Sequence, residues 1–379
     1  MVSRLAYLVF VVLMVCGVSS ARAATFSVPE NPSLDVMAGQ MVLVGFRGTG
    51  EAPLVEDIAL LREDIRKGHI GGVILFDYDV QTKKRGRNVR SLGQVAKLVA
   101  MLQQEARIPL FIAVDQEGGR VERLRAEHGF VSVPHARALG AKKPEETQAR
   151  ALEQGRALRK LGINLNFAPV ADVDVNPASP AIGAYNRAFS EKSGIVAAHA
   201  AAFAKGLAAA GVASSYKHFP GHGSAAADSH KSMPDITATW TEDELVPYLP
   251  GSIPADLPLM VMAGHVYNRA LDPVYPATLS HAVITDVLRV RLGWKGVVVT
   301  DDLDMDAVTQ HYTQEESIRL AVNAGADIIL FGNNLRHAVD QGRTVHATLV
   351  QLAQQGAIPR ARIQESWNRI VALKKRLYP

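Results

Sequence analysis

Gly296-Val297-Val298-Val299-Thr300-Asp301-Asp302-Leu303-Asp304-Met305-Asp306 is an apolar, β-branched run that ends abruptly in carboxylates. Valines in succession pack well on a pleated surface. Unbroken apolarity, in place of apolar–polar alternation, marks a strand buried on both faces. Such strands belong to parallel sheets covered by helices. Carboxylates at the exit of one are costly to desolvate unless they are paired or used.

Seven more runs have this character: Met41–Val44, Gly72–Phe76, Leu110–Val114, Asn164–Val170, Val212–Lys217, Leu259–Ala263 and Asp327–Phe331. Amphipathic stretches separate them and predict helices over Leu54–Lys67, Ser91–Ala106, Glu145–Leu161, Glu191–Ala210, Thr241–Tyr248, His281–Leu292, Gln314–Ala324 and Leu335–Gln354, with a last one over Arg360–Arg376. Ser190 is placed to cap the fourth of these, with Glu191 in its first turn. Eight β/α alternations predict an α/β protein, a single (β/α)8 TIM barrel. A doubly wound open sheet is the alternative that the pattern allows. There is no long linker, low-complexity tract or internal repeat, so one domain is expected over residues 24–379.

The 379 residues are 48% hydrophobic and 21% charged, an ordinary globular composition. The net charge of +4 raises a nucleic-acid reading, which needs clustered cations interleaved with aromatic rings. The densest cluster, Lys83-Lys84-Arg85-Gly86-Arg87 with Arg90, has none interleaved and reads as a solvated loop, so no nucleic-acid partner is expected. The basic segment 78–90 stays without an assigned role.

The N-terminus carries Arg4, an apolar run Leu5–Val15, and the small-x-small site Ala21-Arg22-Ala23. Together these predict a secretory signal peptide over residues 1–23, cleaved before Ala24. The run is short for a membrane-spanning helix; an uncleaved anchor is the alternative. The expected mature protein is exported, periplasmic or secreted, and free of the membrane. Cleavage would also remove Cys16, the only cysteine, leaving no thiol for a disulfide, a thiolate metal site or a nucleophile.

In a barrel the chemistry sits where strands end. After the third run stands Asp115-Gln116-Glu117-Gly118-Gly119-Arg120; after the fifth, Lys217-His218-Phe219-Pro220-Gly221-His222-Gly223 and then Asp228-Ser229-His230; after the sixth, Gly264-His265; after the seventh, the aspartate run. Asp115 has the plain alternative of capping a helix. His218 and His222 have the i, i+4 spacing of a zinc pair, but Pro220 and Gly221 between them break the helix that pairing needs. The run from Asp302 lacks the glycine and glutamate of a calcium loop. No metal is expected.

Glycoside hydrolysis fits the set. It needs one carboxylate at the anomeric carbon and a proton donor at the leaving oxygen. Asp301, rigidly held at a strand end, suits the first role. His230 suits the second, because Asp228 two residues away can orient its ring and favour its charged form. The Gly- and Ala-rich stretch Pro220–Ala227 reads as a mobile loop carrying His230.

These motifs, with Val114–Val121 and Thr300-Asp301-Asp302-Leu303-x-Met305-x-Ala307, resemble those of family 3 glycoside hydrolases of the β-N-acetylglucosaminidase branch, over roughly 38–332. The resemblance implies a retaining β-N-acetylhexosaminidase without a cofactor. Asp301 would be its nucleophile and His230 its acid/base, oriented by Asp228. It further implies sugar-binding roles for Asp115, Arg123, Arg187, Lys217 and His218, and an N-acetylglucosamine-containing glycan or muropeptide as partner. A monomer is expected. Phosphorolysis on the same scaffold and a non-catalytic wall-binding protein are the competing readings.

Overall fold

The structure, a computed structural model, describes residues 28–378; the expected leader lies outside them. Eight parallel strands form the inner sheet: β1 Val42–Gly45, β2 Gly72–Leu75, β3 Phe111–Val114, β4 Leu165–Asn166, β5 Ala213–Phe219, β6 Leu259–Ala263, β7 Val297–Thr300 and β8 Ile329–Phe331. Their hydrogen-bonded order is β7-β6-β5-β4-β3-β2-β1-β8. The ring closes through a parallel bridge between Val299 and Ile328, helped by Leu330 N–H donating to Thr300 Oγ1 at 3.0 Å. The fold is therefore the (β/α)8 barrel, not an open sheet. The valines of β7 are buried, which is why that strand reads as unbroken apolarity.

The helices relevant here are α1 Leu34–Gln40, α2 Glu56–Lys67, α3 Leu92–Glu105, α4 Ala136–Gly140, α5 Pro144–Lys160, α6 Ser193–Ala209, α7 Asp306–Thr309, α8 Gln314–Ala324, α9 Gln341–Gln354 and α10 Arg360–Leu377. The crossover from β6 to β7 is a π-type helix, Ala282–Arg291. Gly68 ends α2 in the left-handed conformation, the usual role of glycine there. Thr313 and Glu316 close a reciprocal cap on α8.

Four local expectations need correction. The helix predicted from Glu191 begins at Ser193, and Ser190 accepts from Lys192 N–H at 3.1 Å without capping it. The helix predicted from Leu335 begins at Gln341, because residues before it are bent around Asn333, whose side chain binds Gly45 O and Ala338 O. Thr241–Tyr248 forms a tighter 3-10 segment, Glu242–Tyr248, with Pro247 inside it. The basic cluster is only partly solvated: Arg87 is buried, its guanidinium between Asp79 and the carbonyl of Asn333.

At the N-terminal end of the barrel strands, Asp327 is wholly buried. Its carboxylate meets Arg289 and Arg362 at 2.7 Å and Arg369 at 3.0 Å, and accepts from Ser366 Oγ at 2.9 Å and Val298 N–H at 3.0 Å. One carboxylate thus ties β7 and β8 to the π-type helix and α10.

Candidate active site

Asp301 follows β7 directly. Its N–H donates to Ala263 O on β6 at 3.0 Å, and its own carboxylate accepts Asp302 N–H at 2.8 Å, so backbone and side chain are both held. Burial opposes its charge, but His265, His218 and His230 outweigh that and hold the carboxyl well below the usual range. Behind it, Asp302 accepts N–H bonds from Asp304 at 3.0 Å and Gly332 at 2.8 Å. A Cβ on Gly332 would stand 2.2 Å from Asp302 Oδ2, so this turn needs glycine. Burial, then repulsion from Asp304, pushes the Asp302 carboxyl up. Of Asp301, Asp302 and Asp304, Asp301 is thus the carboxylate that stays ionised most readily.

His230 reaches the same cavity from the segment after β5. Its Nδ1 lies 2.9 Å from Asp228 Oδ1, which also accepts His230 N–H at 3.0 Å. The Asp228 carboxyl is drawn down to about 2, chiefly by the hydrogen bond to His230. For His230, burial opposes the charge, but the Asp228 bond and then the Asp301 charge raise its pKa. The ring is 56% exposed, so water screens part of these effects. With Nδ1 engaged, Nε2 is the atom free to give or take a proton.

The remaining predicted residues form a charged network. The register between β5 and β6 is broken where Lys217 and His218 stand, an irregularity that lets successive residues serve one side. Lys217 Nζ meets Asp115 Oδ1 at 2.9 Å and Glu117 Oε1 at 2.7 Å, and Arg123 meets Asp115 Oδ2 at 3.3 Å. Arg187 holds Glu117 bidentately at 2.7 and 2.8 Å. Burial resists the charge on Glu117, yet Arg187 and Lys217 keep its carboxyl well below the ordinary range. His218 Nδ1 lies 2.7 Å from Asp172 Oδ2.

All eight residues singled out from the sequence, Asp115, Arg123, Arg187, Lys217, His218, Asp228, His230 and Asp301, line one cavity of about 210 Å³. Glu117 and His222 line it too. Asp172, beneath His218, follows the fourth apolar run and is open to the same strand-end reasoning. Glu244 had no local signal. It is buried, accepts Gly223 N–H at 3.1 Å, and burial pushes its carboxyl up to about 8. The stretch expected to be mobile is tied down over Gly221–Gly223: His222 N–H donates to Asp172 Oδ1 at 2.8 Å, and a Cβ on Gly223 would stand 1.6 Å from Val173 O.

A larger cavity of about 430 Å³ lies between the loops after β1 and β2. Its Arg47 and Arg87 are already paired with Asp79 and its Arg90 with Glu51, and its Thr49 hydroxyl donates to the exposed Glu51 at 3.0 Å. Asp35, His69 and His346 bring metal-type donor atoms within 4.8 Å of one another away from the cavity. The two imidazoles stack at 4.0 Å with planes 11° apart, so their in-plane lone pairs do not meet at one ion. Among the described residues no helix is long and apolar enough to cross a membrane.

The profile of the "Glycosyl hydrolase family 3 N terminal domain" matches residues 33–373. Beta-hexosaminidase A of Pseudoalteromonas piscicida is 34% identical over 395 residues, covering 95% of this chain and 64% of that protein. The glycoside hydrolase family 3 beta-N-acetylglucosaminidase from Paenibacillus sp. str. FPU-7 superposes with a TM-score of 0.81 at 38% identity, over 92% of this chain and 63% of that one. Beta-N-acetylhexosaminidase from Beutenbergia cavernae gives 0.79 at 31% identity, over 91% and 99%. The chain therefore spans just under two thirds of the length of the first two. With the barrel, the strand-end cavity and these likenesses in agreement, the chain belongs to glycosyl hydrolase family 3.

Proposed function

We propose that this chain is a retaining, exo-acting β-N-acetylhexosaminidase that removes terminal β-linked N-acetylglucosamine from peptidoglycan fragments. The observation that carries the reading is the Asp228–His230 hydrogen bond of 2.9 Å in the cavity that also holds Asp301. In the first step the Asp301 carboxylate attacks the anomeric carbon. The glycosidic C–O bond breaks as His230 Nε2 gives its proton to the leaving oxygen. In the second, water attacks the glycosyl ester, His230 takes the water's proton, and Asp301 leaves as carboxylate.

Asp115, with Lys217 and Arg123 at its two oxygens, supplies acceptors and donors for adjacent sugar hydroxyls. His218 Nε2 faces the cavity because Nδ1 is engaged by Asp172. Arg187 spends much of its fork on Glu117, so its part in sugar binding runs through that pair as well as through its free N–H groups. An exported location, read from the N-terminal pattern, would place this activity at the cell envelope.

An aryl β-N-acetylglucosaminide assay beside Asp301→Asn tests the reading. The substitution is expected to lower kcat by roughly a thousandfold or more. Turnover that survives it overturns the assignment of the nucleophile.

A further inference from the structure

Ser229 stands between the two members of the acid/base pair and takes no part in the steps above, yet it is buried at 3% exposure. Its Oγ lies 3.1 Å from His222 Nε2, and its carbonyl accepts Ala307 N–H at 3.2 Å. The two bonds lead to different elements, the first to His222 in the cavity wall. Ala307 belongs to α7, which follows the nucleophile's turn. His222 is buried, with its N–H on Asp172 Oδ1 at 2.8 Å, and Asp172 also accepts His218 N–H at 3.0 Å.

His222 is a neutral link. Burial, and then the neighbouring His218, depress it to about 4. Its Nδ1 is buried without a hydrogen-bond partner among the described residues. An orphan N–H is costlier to bury than an orphan lone pair, so the single ring proton belongs on Nε2, donating to Ser229. His230, by contrast, has a ring more than half exposed, held from the side by Asp228 alone. Little packing around that ring fixes its distance from Asp301. The backbone on either side of Ser229 must do so.

We propose that Ser229 is a positioning residue for the acid/base. Its hydroxyl bond to His222 and its carbonyl bond to Ala307 register the Asp228–His230 arm against Asp301. The proposal rests on the retaining reading above. The barrel floor under His218 and the turn after the nucleophile are thereby coupled to the proton donor through one residue.

The test compares Ser229→Ala and Ser229→Thr with the wild type on two aryl β-N-acetylglucosaminides, one with a phenyl and one with a 2,4-dinitrophenyl leaving group. kcat/KM reports the step in which the leaving group departs. Phenoxide needs the proton from His230; dinitrophenoxide does not. An ångström of misplacement is worth on the order of 100-fold. Ser229→Ala is therefore expected to lose about 10- to 100-fold in kcat/KM on the phenyl glycoside and less than about threefold on the dinitrophenyl one; the orphaned His222 N–H lowers Tm, but a loss of folded enzyme reduces both substrates alike and does not produce this split. Ser229→Thr, which keeps the hydroxyl, recovers most of the loss. Equal losses on both substrates, or none on either, overturn the positioning role. Wild type inert on both glycosides overturns the hydrolase reading itself, and this inference with it.

Discussion

Because Asp228 Oδ1 holds His230 Nδ1, removing that carboxylate must lower the pH at which His230 gives up its proton. The bond to Asp228 is the largest influence raising that pKa, against the opposing pull of burial. In the proposed mechanism His230 is the general acid and works only while protonated, so in Asp228→Asn the basic limb of the pH–rate profile is expected to move to lower pH. General acid catalysis is worth about 100-fold or more, and kcat should fall accordingly. A pH–kcat/KM profile with an unmoved basic limb would contradict the pairing. Asp115, Lys217, His218 and Asp301 are legible because they stand at the ends of apolar runs, where charge is costly unless used, and Asp228 and His230 because they are spaced two apart after the fifth run. Asp172 and Glu117 carry as much of the electrostatics, but they act on other side chains and not on the cavity's centre. Their importance shows only once Asp172 is seen under His218 and Glu117 within the fork of Arg187.

At the scale of elements, the loop after β5 is anchored by Glu244 from the 3-10 segment Glu242–Tyr248. Its carboxyl titrates at about 8 against an ordinary 4.5, because it is buried. A carboxyl raised in the folded state stabilises the fold fully below its unfolded value and loses that contribution as pH climbs toward 8. Glu244→Gln keeps an acceptor for Gly223 N–H and cannot ionise. Its melting temperature should match the wild type near pH 5 and exceed it by several degrees, roughly, at pH 8. A difference constant across that range would dismiss Glu244 as the titrating anchor. Sequence periodicity located β7 and α8 well, since burial pattern and caps are local there. It misplaced the starts of α6, where Ser190 turns back on Lys192 N–H in place of capping the helix, and of α9, where Asn333 is held by the distant Gly45 carbonyl. The partner of Glu244 lies 21 residues away in sequence, beyond any helical or strand period.

For the molecule as a whole, Asp327 braces the seam where β7 meets β8. Three arginines share this carboxylate, and Arg289, Arg362 and Arg369 hold its ionised form against the cost of burial. Asp327→Ala leaves Arg289 without its carboxylate and leaves Arg362 and Arg369 only the exposed Glu365, at 3.4 and 3.5 Å. The expected loss is about 3–5 kcal/mol, read from urea unfolding; a loss below about 1 kcal/mol would mean the arginines find other partners. The folded carboxyl sits below its unfolded value, so this stabilisation is present above that value and fades as pH falls through the folded one. The eight-stranded barrel was readable from the repeated alternation of runs and helices. Asp327 was visible only as the first residue of the eighth run, with nothing to mark it as a hub, because its arginines come from two other segments far along the chain.

That hub lies at the end of the strands away from the cavity. A lineage descended from this chain could replace Arg123, Arg187 or the residues around Ser229, and on the proposed function change which sugar it accepts, without drawing on the ion cluster around Asp327. A descendant that lost Asp301 and His230 altogether could persist as a silent binding protein, still cooperatively folded. Inheritance of Asp327 and its three arginines should therefore outlast inheritance of the residues that line the cavity.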